Sequence, residues 1–232
     1  MMLSKKIFVA LDTTNLDFAL NLSKNLVGLV GGVKIGKEFF TALGPDGVRA
    51  VASIGMPVFL DLKFHDIPAT VAGAISAALL LEPFMINVHA AGGAEMMSAA
   101  VNAVNNHAKR PLILAVTVLT SLSDKDLNSI GVGASSEKQV LQLAQLAKNQ
   151  GIDGVVCSAH EVTSLRKAFG NEILLVVPGV RPTWASADDQ KRIVTPADAI
   201  AFGADYLVIG RPITESVNPV EAVKRIADEM EI

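Results

Sequence analysis

Short, continuous apolar runs recur along the chain and constrain its fold more than any other feature. Each run is rich in Val, Ile and Leu, is bounded by Gly, Pro or Asp, and lacks hydrophobic–polar alternation. The runs cover residues 7–12, 31–36, 57–64, 84–90, 112–120, 153–159, 173–179 and 205–211. Parallel strands that are covered on both faces have this pattern, so we expect eight such strands.

Helical stretches separate these runs, for example residues 15–30 and 137–151, where apolar residues recur at helical spacing. Alternating strands and helices of this number predict an α/β fold, a (β/α)8 TIM barrel that forms a single domain over residues 1–232. An open doubly wound sheet is the alternative. It would normally carry a glycine fingerprint after its first strand, where this chain has LDTTN.

Composition excludes several classes of protein. The 232 residues carry a net charge of −3 without any block of like charge, which argues against a nucleic-acid partner. A single cysteine, Cys157, excludes a disulfide framework. The apolar run before Asp12 is too short for a signal peptide, and the segment 71–81 is too short to span a bilayer. We therefore expect a cytoplasmic protein with no membrane association.

Charged residues stand where the predicted strands end, and barrel enzymes hold their catalytic groups at these ends. Asp12 ends the first run, Lys34 lies in the second, and Asp61 and Lys63 lie in the third. Because side chains alternate along a strand, Asp61 and Lys63 should point to the same side, with Lys34 approaching from the neighbouring strand. With Asp66 in the following loop, the sequence predicts a Lys–Asp–Lys–Asp chain, of which a purely structural ion-pair network is the alternative interpretation.

A metal-free site is the better interpretation of this charge pattern. Asp12 and Asp61 are possible Mg²⁺ ligands, but Lys34 between them would repel the cation. The three histidines considered, His65, His89 and His107, are interpreted as structural or ground-state contacts, because none has an evident partner for acid–base catalysis.

A phosphate site is indicated independently of the charged chain. The loops after strands seven and eight form the usual phosphate site of these barrels. Here they supply Arg181 and Arg211, with Gly210 beside the second arginine and Gln190 able to close over the anion. Arginine binds phosphate through two parallel hydrogen bonds, and glycine lets backbone N–H groups approach.

Taken in order along the chain, these motifs resemble the orotidine 5′-phosphate decarboxylase family. The resemblance covers essentially the whole chain and rests on VKIG, DLKFHDIP, VTVLTS, PGVRP, the glutamine of DDQKR, and VIGRPI. A related group of sugar-phosphate decarboxylases shares the D-x-K-x-x-D element but uses Mg²⁺, with a glutamate where this chain has Lys34. Two alternatives thus remain, this Mg²⁺-dependent activity and a non-catalytic barrel that only binds a phosphorylated ligand.

The resemblance implies a cofactor-independent homodimer that converts orotidine 5′-phosphate to UMP and CO₂, the last step of de novo pyrimidine synthesis. It implies that Lys63 donates a proton to C6 of the pyrimidine. Asp61 of the same chain and Asp66 of the partner subunit would lie beside this lysine. Asp12 and Lys34 would hold the ribose hydroxyls. The other implied substrate-binding residues are Ile67, Thr70, Thr120, Ser121 and Pro178, together with Arg181, Gln190, Gly210 and Arg211.

Overall fold

The computed structural model describes residues 3–185 and 194–231. Within these residues, eight parallel strands close into a barrel in sequence order, and the last strand pairs with the first. The strands are β1 (Ile7–Ala10), β2 (Gly32–Gly36), β3 (Val58–Phe64), β4 (Met85–His89), β5 (Leu112–Val116), β6 (Gly154–Val156), β7 (Leu174–Pro178) and β8 (Tyr206–Ile209).

Helices connect the strands and cover the outside of the barrel. Over the same described residues they are α1 (Leu16–Leu26), α2 (Lys37–Ala52), α3 (Pro68–Ala78), α4 (Gly93–Asn102), α5 (Asp124–Ser129), α6 (Ser136–Asn149), α7 (Val162–Phe169), α8 (Pro196–Phe202), α9 (Arg211–Thr214) and α10 (Pro219–Met230). Short 3₁₀ turns cover Leu3–Lys6, Leu79–Leu81, Ala90–Gly92 and Ala159–Glu161. No helix in the described part of the chain is long and apolar enough to cross a membrane.

The predicted (β/α)8 barrel is confirmed, and the open-sheet alternative is wrong because β8 closes on β1. Each strand lies within its predicted run. The largest boundary error is at β5, which was expected to reach residue 120 and ends at Val116. There the hydroxyl of Thr117 and its backbone N–H both donate to the carbonyl of Val156, after which the chain turns away.

The core has two compartments, which follow from the alternation of side chains along each strand. Outward-facing strand residues pack against the helices in one large cluster, and inward-facing residues fill the barrel interior. The interior cluster consists of Phe8, Ala10, Phe59, Met85, Leu114, Val116, Val156, Val176 and Val208. Lys34, Asp61 and Asn87 also occupy inward-facing positions, two residues further along β2, β3 and β4. The barrel interior is therefore apolar over most of its length and carries charged and polar groups at the carboxyl end of its strands.

Candidate active site

Four charged side chains form a continuous chain at the carboxyl end of the barrel. The Nζ of Lys34 lies 3.0 Å from Oδ1 of Asp12 and 3.5 Å from Oδ2 of Asp61. The Nζ of Lys63 lies 2.6 Å from Oδ1 of Asp61. The order within one chain is therefore Asp12–Lys34–Asp61–Lys63, with acids and bases alternating.

Burial differs along this chain of charges. The side chains of Lys34 and Asp61 are only 12% and 10% exposed, whereas that of Asp12 is 56% exposed. Asp61 thus forms ion pairs with two ammonium groups away from bulk solvent. Such pairing offsets the cost of removing a carboxylate from water. The exposed outer end at Asp12 leaves the site open to a ligand from solvent.

Lys63 has an unusual backbone conformation for a residue in a strand. Its φ is 53°, in the left-handed region, and the pairing of β3 with β4 shifts register between Leu60 and Phe64. The predicted contact between Lys63 and Asp61 is confirmed, but a bulge brings it about rather than regular alternation. A non-glycine residue in this conformation costs free energy, and such strain is concentrated at functional sites.

Asn87 on β4 was given no role from the sequence, although it contacts both residues of this pair. It is fully buried, its Nδ2 donates to Oδ1 of Asp61 at 2.7 Å, and its Oδ1 accepts from the backbone N–H of Lys63 at 2.8 Å. The available signal was its position, since it is a polar residue at an inward-facing place in the apolar run FMINVHA.

The structure does not bring Asp66 to Lys63 within one chain. No ion pair joins them among the described residues, and Oδ1 of Asp66 instead accepts from the N–H of Ile67 at 2.6 Å. Asp66, Ile67 and Thr70 are all exposed, at or just before the first turn of α3. The predicted contacts of Asp61 with Lys34 and with Lys63 are confirmed. The predicted fourth member of the charged series, Asp66, does not contact Lys63 of the same polypeptide among the described residues.

Two histidines lie beside Lys63. The rings of His65 and His89 are tilted, with centroids 5.5 Å apart. Burial lowers the pKa of His89, and the neighbouring His65 and Lys63 lower it further, while Asp61 opposes them. Neutral His89 is consistent with the predicted role of a contact rather than a charged catalytic group.

Gly36 at the end of β2 lies close to the charged chain. A Cβ built there would lie 3.0 Å from Nζ of Lys34 and 3.4 Å from Oδ1 of Asp12. The absence of a side chain at Gly36 therefore makes room for the ion pair of Lys34 with Asp12.

The predicted phosphate residues follow β7 and β8, at the same end of the barrel as the charged chain. Arg181 is only 5% exposed, and its backbone N–H donates to the carbonyl of Val194. Gly210 directly follows β8 and precedes α9, which begins with the exposed Arg211. A Cβ at Gly210 would make only an ordinary contact, 3.5 Å from the Cβ of Ala10. Gln190 lies outside the described residues.

The remaining predicted residues lie at the rim of the barrel. Thr120 and Ser121 are exposed in the loop after β5, and Pro178 is the last residue of β7. Among residues 3–185 and 194–231, no group of three or more His, Cys, Asp or Glu side chains is arranged to hold a metal ion.

Comparison with known proteins places the chain in a family. The sequence model described as "Orotidine 5′-phosphate decarboxylase / HUMPS family" matches residues 5–226. A protein of Idiomarina loihiensis named orotidine 5′-phosphate decarboxylase is 52% identical over 221 residues, covering 95% of this chain and 96% of its own. One of the same name from Rhodospirillum rubrum is 50% identical over 235 residues, covering 99% and 95%.

A solved structure extends the likeness to the fold. The crystal structure described as orotidine 5′-phosphate decarboxylase from Lactobacillus acidophilus superposes with a TM-score of 0.85 at 36% identity, covering 98% of this chain and 100% of that one. The match in sequence and the match in fold both extend over nearly the whole length. The chain therefore belongs to the orotidine 5′-phosphate decarboxylase / HUMPS family.

Proposed function

We propose that this protein decarboxylates orotidine 5′-phosphate to UMP and CO₂, the last step of de novo pyrimidine synthesis. The observation that carries the proposal is the ammonium of Lys63, held 2.6 Å from Asp61 at the open end of the barrel. A barrel that only binds a phosphorylated ligand has no need for a strained lysine paired with a largely buried acid.

The chemistry of the reaction explains why an ammonium is needed. The bond from C6 to the carboxylate carbon breaks, CO₂ leaves, and the electron pair stays on C6 in the plane of the ring. No adjacent carbonyl conjugates with this pair, so a positive charge beside C6 must stabilise it. The Lys63 ammonium stabilises the developing charge and then transfers a proton to C6, which gives UMP.

The other charges position the substrate. Asp12 and Lys34 bind the ribose hydroxyls, a role supported by the exposed carboxylate of Asp12 beside a largely buried ammonium. Asp61 holds Lys63 and lies where the substrate carboxylate would approach. Thr120 and Ser121 lie by the pyrimidine in this proposal, which their position in the loop after β5 supports. Ile67 and Pro178 complete the set of substrate-binding residues.

Arg181, Gln190, Gly210 and Arg211 bind the 5′-phosphate in this proposal. The two arginines follow β7 and β8, where barrels of this kind bind phosphate, and both can make parallel hydrogen bonds to it. Because the phosphate is remote from C6, its binding energy can be used to assemble the site around the reacting carbon.

We further propose a homodimer in which each site uses Asp66 and Thr70 of the partner subunit. Asp66 is exposed and makes no ion pair with its own Lys63 within the described residues. The solvent-facing side of α3 is made mainly of small residues, among them Ala69, Gly73 and Ala77. Such a surface lets a second helix approach closely, and a two-fold dimer would generate two composite sites.

The alternative is the Mg²⁺-dependent activity of the related sugar-phosphate decarboxylases, which Lys34 disfavours. Its ammonium contacts both Asp12 and Asp61, the two carboxylates that would have to bind the cation. The proposed chemistry needs no cofactor, and the buried thiol of Cys157 suits a cytoplasmic location.

The direct test is the loss of orotidine 5′-phosphate absorbance with purified protein, with and without an excess of chelator. Formation of UMP at the same rate in both conditions is expected. Activity that chelator abolishes and Mg²⁺ restores would favour the metal-dependent alternative. No turnover of orotidine 5′-phosphate, with tight binding of UMP, would favour the binding protein.

A further inference from the structure

Strand β3 carries a bulge at the point where its charged residues line the mouth of the barrel. Leu60 pairs with Ile86 and Phe64 pairs with Val88, so three residues of β3 face Asn87 alone on β4. Extra residues of this kind interrupt the ladder of backbone hydrogen bonds. A backbone N–H within the gap therefore needs an acceptor from elsewhere.

The side chain of Asn87 fills this gap and is 0% exposed. Its Oδ1 accepts from the backbone N–H of Lys63 at 2.8 Å, and its Nδ2 donates to Oδ1 of Asp61 at 2.7 Å. The same carboxylate oxygen accepts from Nζ of Lys63 at 2.6 Å. A single amide thus connects the backbone of the lysine with the carboxylate that holds its ammonium.

This connection stabilises a conformation that Lys63 would not adopt by itself. Its φ of 53° is strained for a residue with a side chain, and such strain persists only where the surroundings fix it. If the acceptor on Asn87 were lost, Lys63 would relax toward an ordinary strand conformation. Its ammonium would then leave its place beside Asp61.

We propose that Asn87 is a positioning residue for the reaction, which sets the direction of the Lys63 ammonium and the Asp61 carboxylate by fixing the bulge of β3. The inference rests on the proposed function and adds to it a residue that acts through Lys63 and Asp61 rather than on the substrate. Asn87 contributes two separable hydrogen bonds, one to the backbone and one to the carboxylate, and each can be tested.

The first test replaces the amide by a side chain of similar size that makes no hydrogen bond. In Asn87→Leu, a displacement of the ammonium by about 1 Å should lower kcat by about a hundredfold. KM should change much less, because the arginines that bind the phosphate are untouched. The matched control is Ile86→Ala, which removes a buried side chain from the adjacent position of β4, facing the helices. A loss of kcat no greater than that of the control would overturn the proposal.

The second test separates the two hydrogen bonds and does not depend on whether Asn87→Leu folds. Asn87→Asp keeps an acceptor for the N–H of Lys63 but sets an anion against Asp61. A carboxyl pressed against another carboxylate binds a proton at a higher pH than usual, and once protonated it can donate as the amide does. The ratio of its kcat to that of the wild type should therefore rise as the pH falls from about 8 toward about 5.

The charged and titratable groups that face Asn87 are Asp61, Lys63, Lys34 and His89. They are present in both proteins, so a difference between the two pH profiles has to come from the introduced carboxyl and its effect on these neighbours. A low ratio that does not change with pH would overturn the role of the donor, because a misfolded site is not repaired by a proton. A ratio near one at about pH 8, where the introduced carboxyl has lost its proton, would overturn the role of the donor hydrogen bond to Asp61.

Amide hydrogen exchange at Lys63 tests the geometry without any assay of activity. We expect slow exchange in the wild type and in Asn87→Asp, and fast exchange in Asn87→Leu. Fast exchange in the wild type would overturn the inference even if the enzyme is active. Conversely, a wild type that does not turn over orotidine 5′-phosphate refutes the proposed function, while the exchange pattern still decides whether Asn87 holds Lys63.

Discussion

The Nζ of Lys63 lies 2.6 Å from Oδ1 of Asp61, although the backbone of Lys63 is in the left-handed region with a φ of 53°. This conformation turns the lysine out of the regular path of β3 toward the mouth of the barrel. The side chains are 25% and 10% exposed, so the pair is partly shielded from solvent. In the proposed reaction, the ammonium held in this way is the group that meets C6 of the substrate.

The proposed phosphate site predicts a loss of kcat/KM that depends on whether the substrate carries the phosphate. Arg211→Ala should lower kcat/KM for orotidine 5′-phosphate, because a charged hydrogen bond to the phosphate is removed. The loss of transition-state stabilisation should be about 2–4 kcal/mol. Steady-state kinetics with the nucleoside that lacks the phosphate should show almost no change. Arg49→Ala, which removes an exposed arginine paired with Asp46 on α2, is the control and should leave both substrates unaffected. An equal loss on both substrates would mean that Arg211 supports the fold.

If the proposed dimer shares its sites, two inactive variants should restore each other. Lys63→Ala and Asp66→Asn should each be nearly inactive, and the asparagine keeps an oxygen for the N–H of Ile67. In a mixed dimer, one site receives both intact residues and the other receives neither. Equal amounts re-pair at random, so half the dimers are mixed and about a quarter of wild-type activity should return.

Subunit exchange in this mixture has to be shown by tagging one variant and isolating the mixed dimers. Mixed dimers without activity would mean that Asp66 serves the site of its own chain.

Gly36 lies so close to the ion pair of Lys34 with Asp12 that adding one methyl group should lower activity. In Gly36→Ala the new Cβ would press on the Lys34 ammonium, which lies 3.0 Å away, and should weaken its ion pair with Asp12. A shift of a few tenths of an ångström should lower kcat/KM by about tenfold. Gly133→Ala is the control, because a Cβ there meets nothing within 4 Å. Equal kinetics for the two variants would show that the ion pair has room to move.

The environment of His89 predicts how stability changes with pH. Burial lowers the pKa of His89 in the folded protein, so between its folded pKa and its unfolded value of about 6.5 the unfolded chain binds more protons. The contribution of His89 to the free energy of unfolding is therefore present above about pH 6.5 and is lost as the pH falls below it. Urea unfolding at several pH values should show a smaller acid-side decline in His89→Gln.

The control for this measurement is His107→Gln, which removes a histidine that precedes β5 at the opposite end of the barrel. The free energy of unfolding of His107→Gln should fall in acid as much as that of the wild type. If His89→Gln also behaves like the wild type, another group causes the loss of stability in acid.

The barrel could be predicted because the pattern of a short apolar run followed by a helical stretch recurs along the sequence. Each of the eight apolar runs contains one strand. The charged residues in or just after these strands, such as Lys34 and Asp12, lie at one end of the barrel. The contact of Asp61 with Lys34 also followed from the adjacency of β2 and β3. Its contact with Lys63 was expected from alternation, but a bulge in β3 brings it about. These inferences use only neighbours along a strand or between paired strands, which periodicity determines.

The finer geometry could not be predicted because it depends on tertiary contacts. The left-handed conformation of Lys63 has no local signal, since a lysine in an apolar run is usually extended. The role of Asn87 depends on a register shift between two strands. The apolar run 112–120 continues past the strand, so it does not mark the end of β5 at Val116. The position of Asp66 relative to another chain is a property of the assembly, and the roles of the phosphate residues remain predictions.

Turnover and UMP binding measured together on Lys63→Ala test the central claim most directly. If Lys63 stabilises the charge at C6 and donates the proton, kcat should fall by at least about 10³-fold. The Kd for UMP, measured by titration calorimetry, should stay within about tenfold of the wild type, because Lys63 acts mainly on the transition state. Wild-type turnover by a folded Lys63→Ala protein would contradict the account.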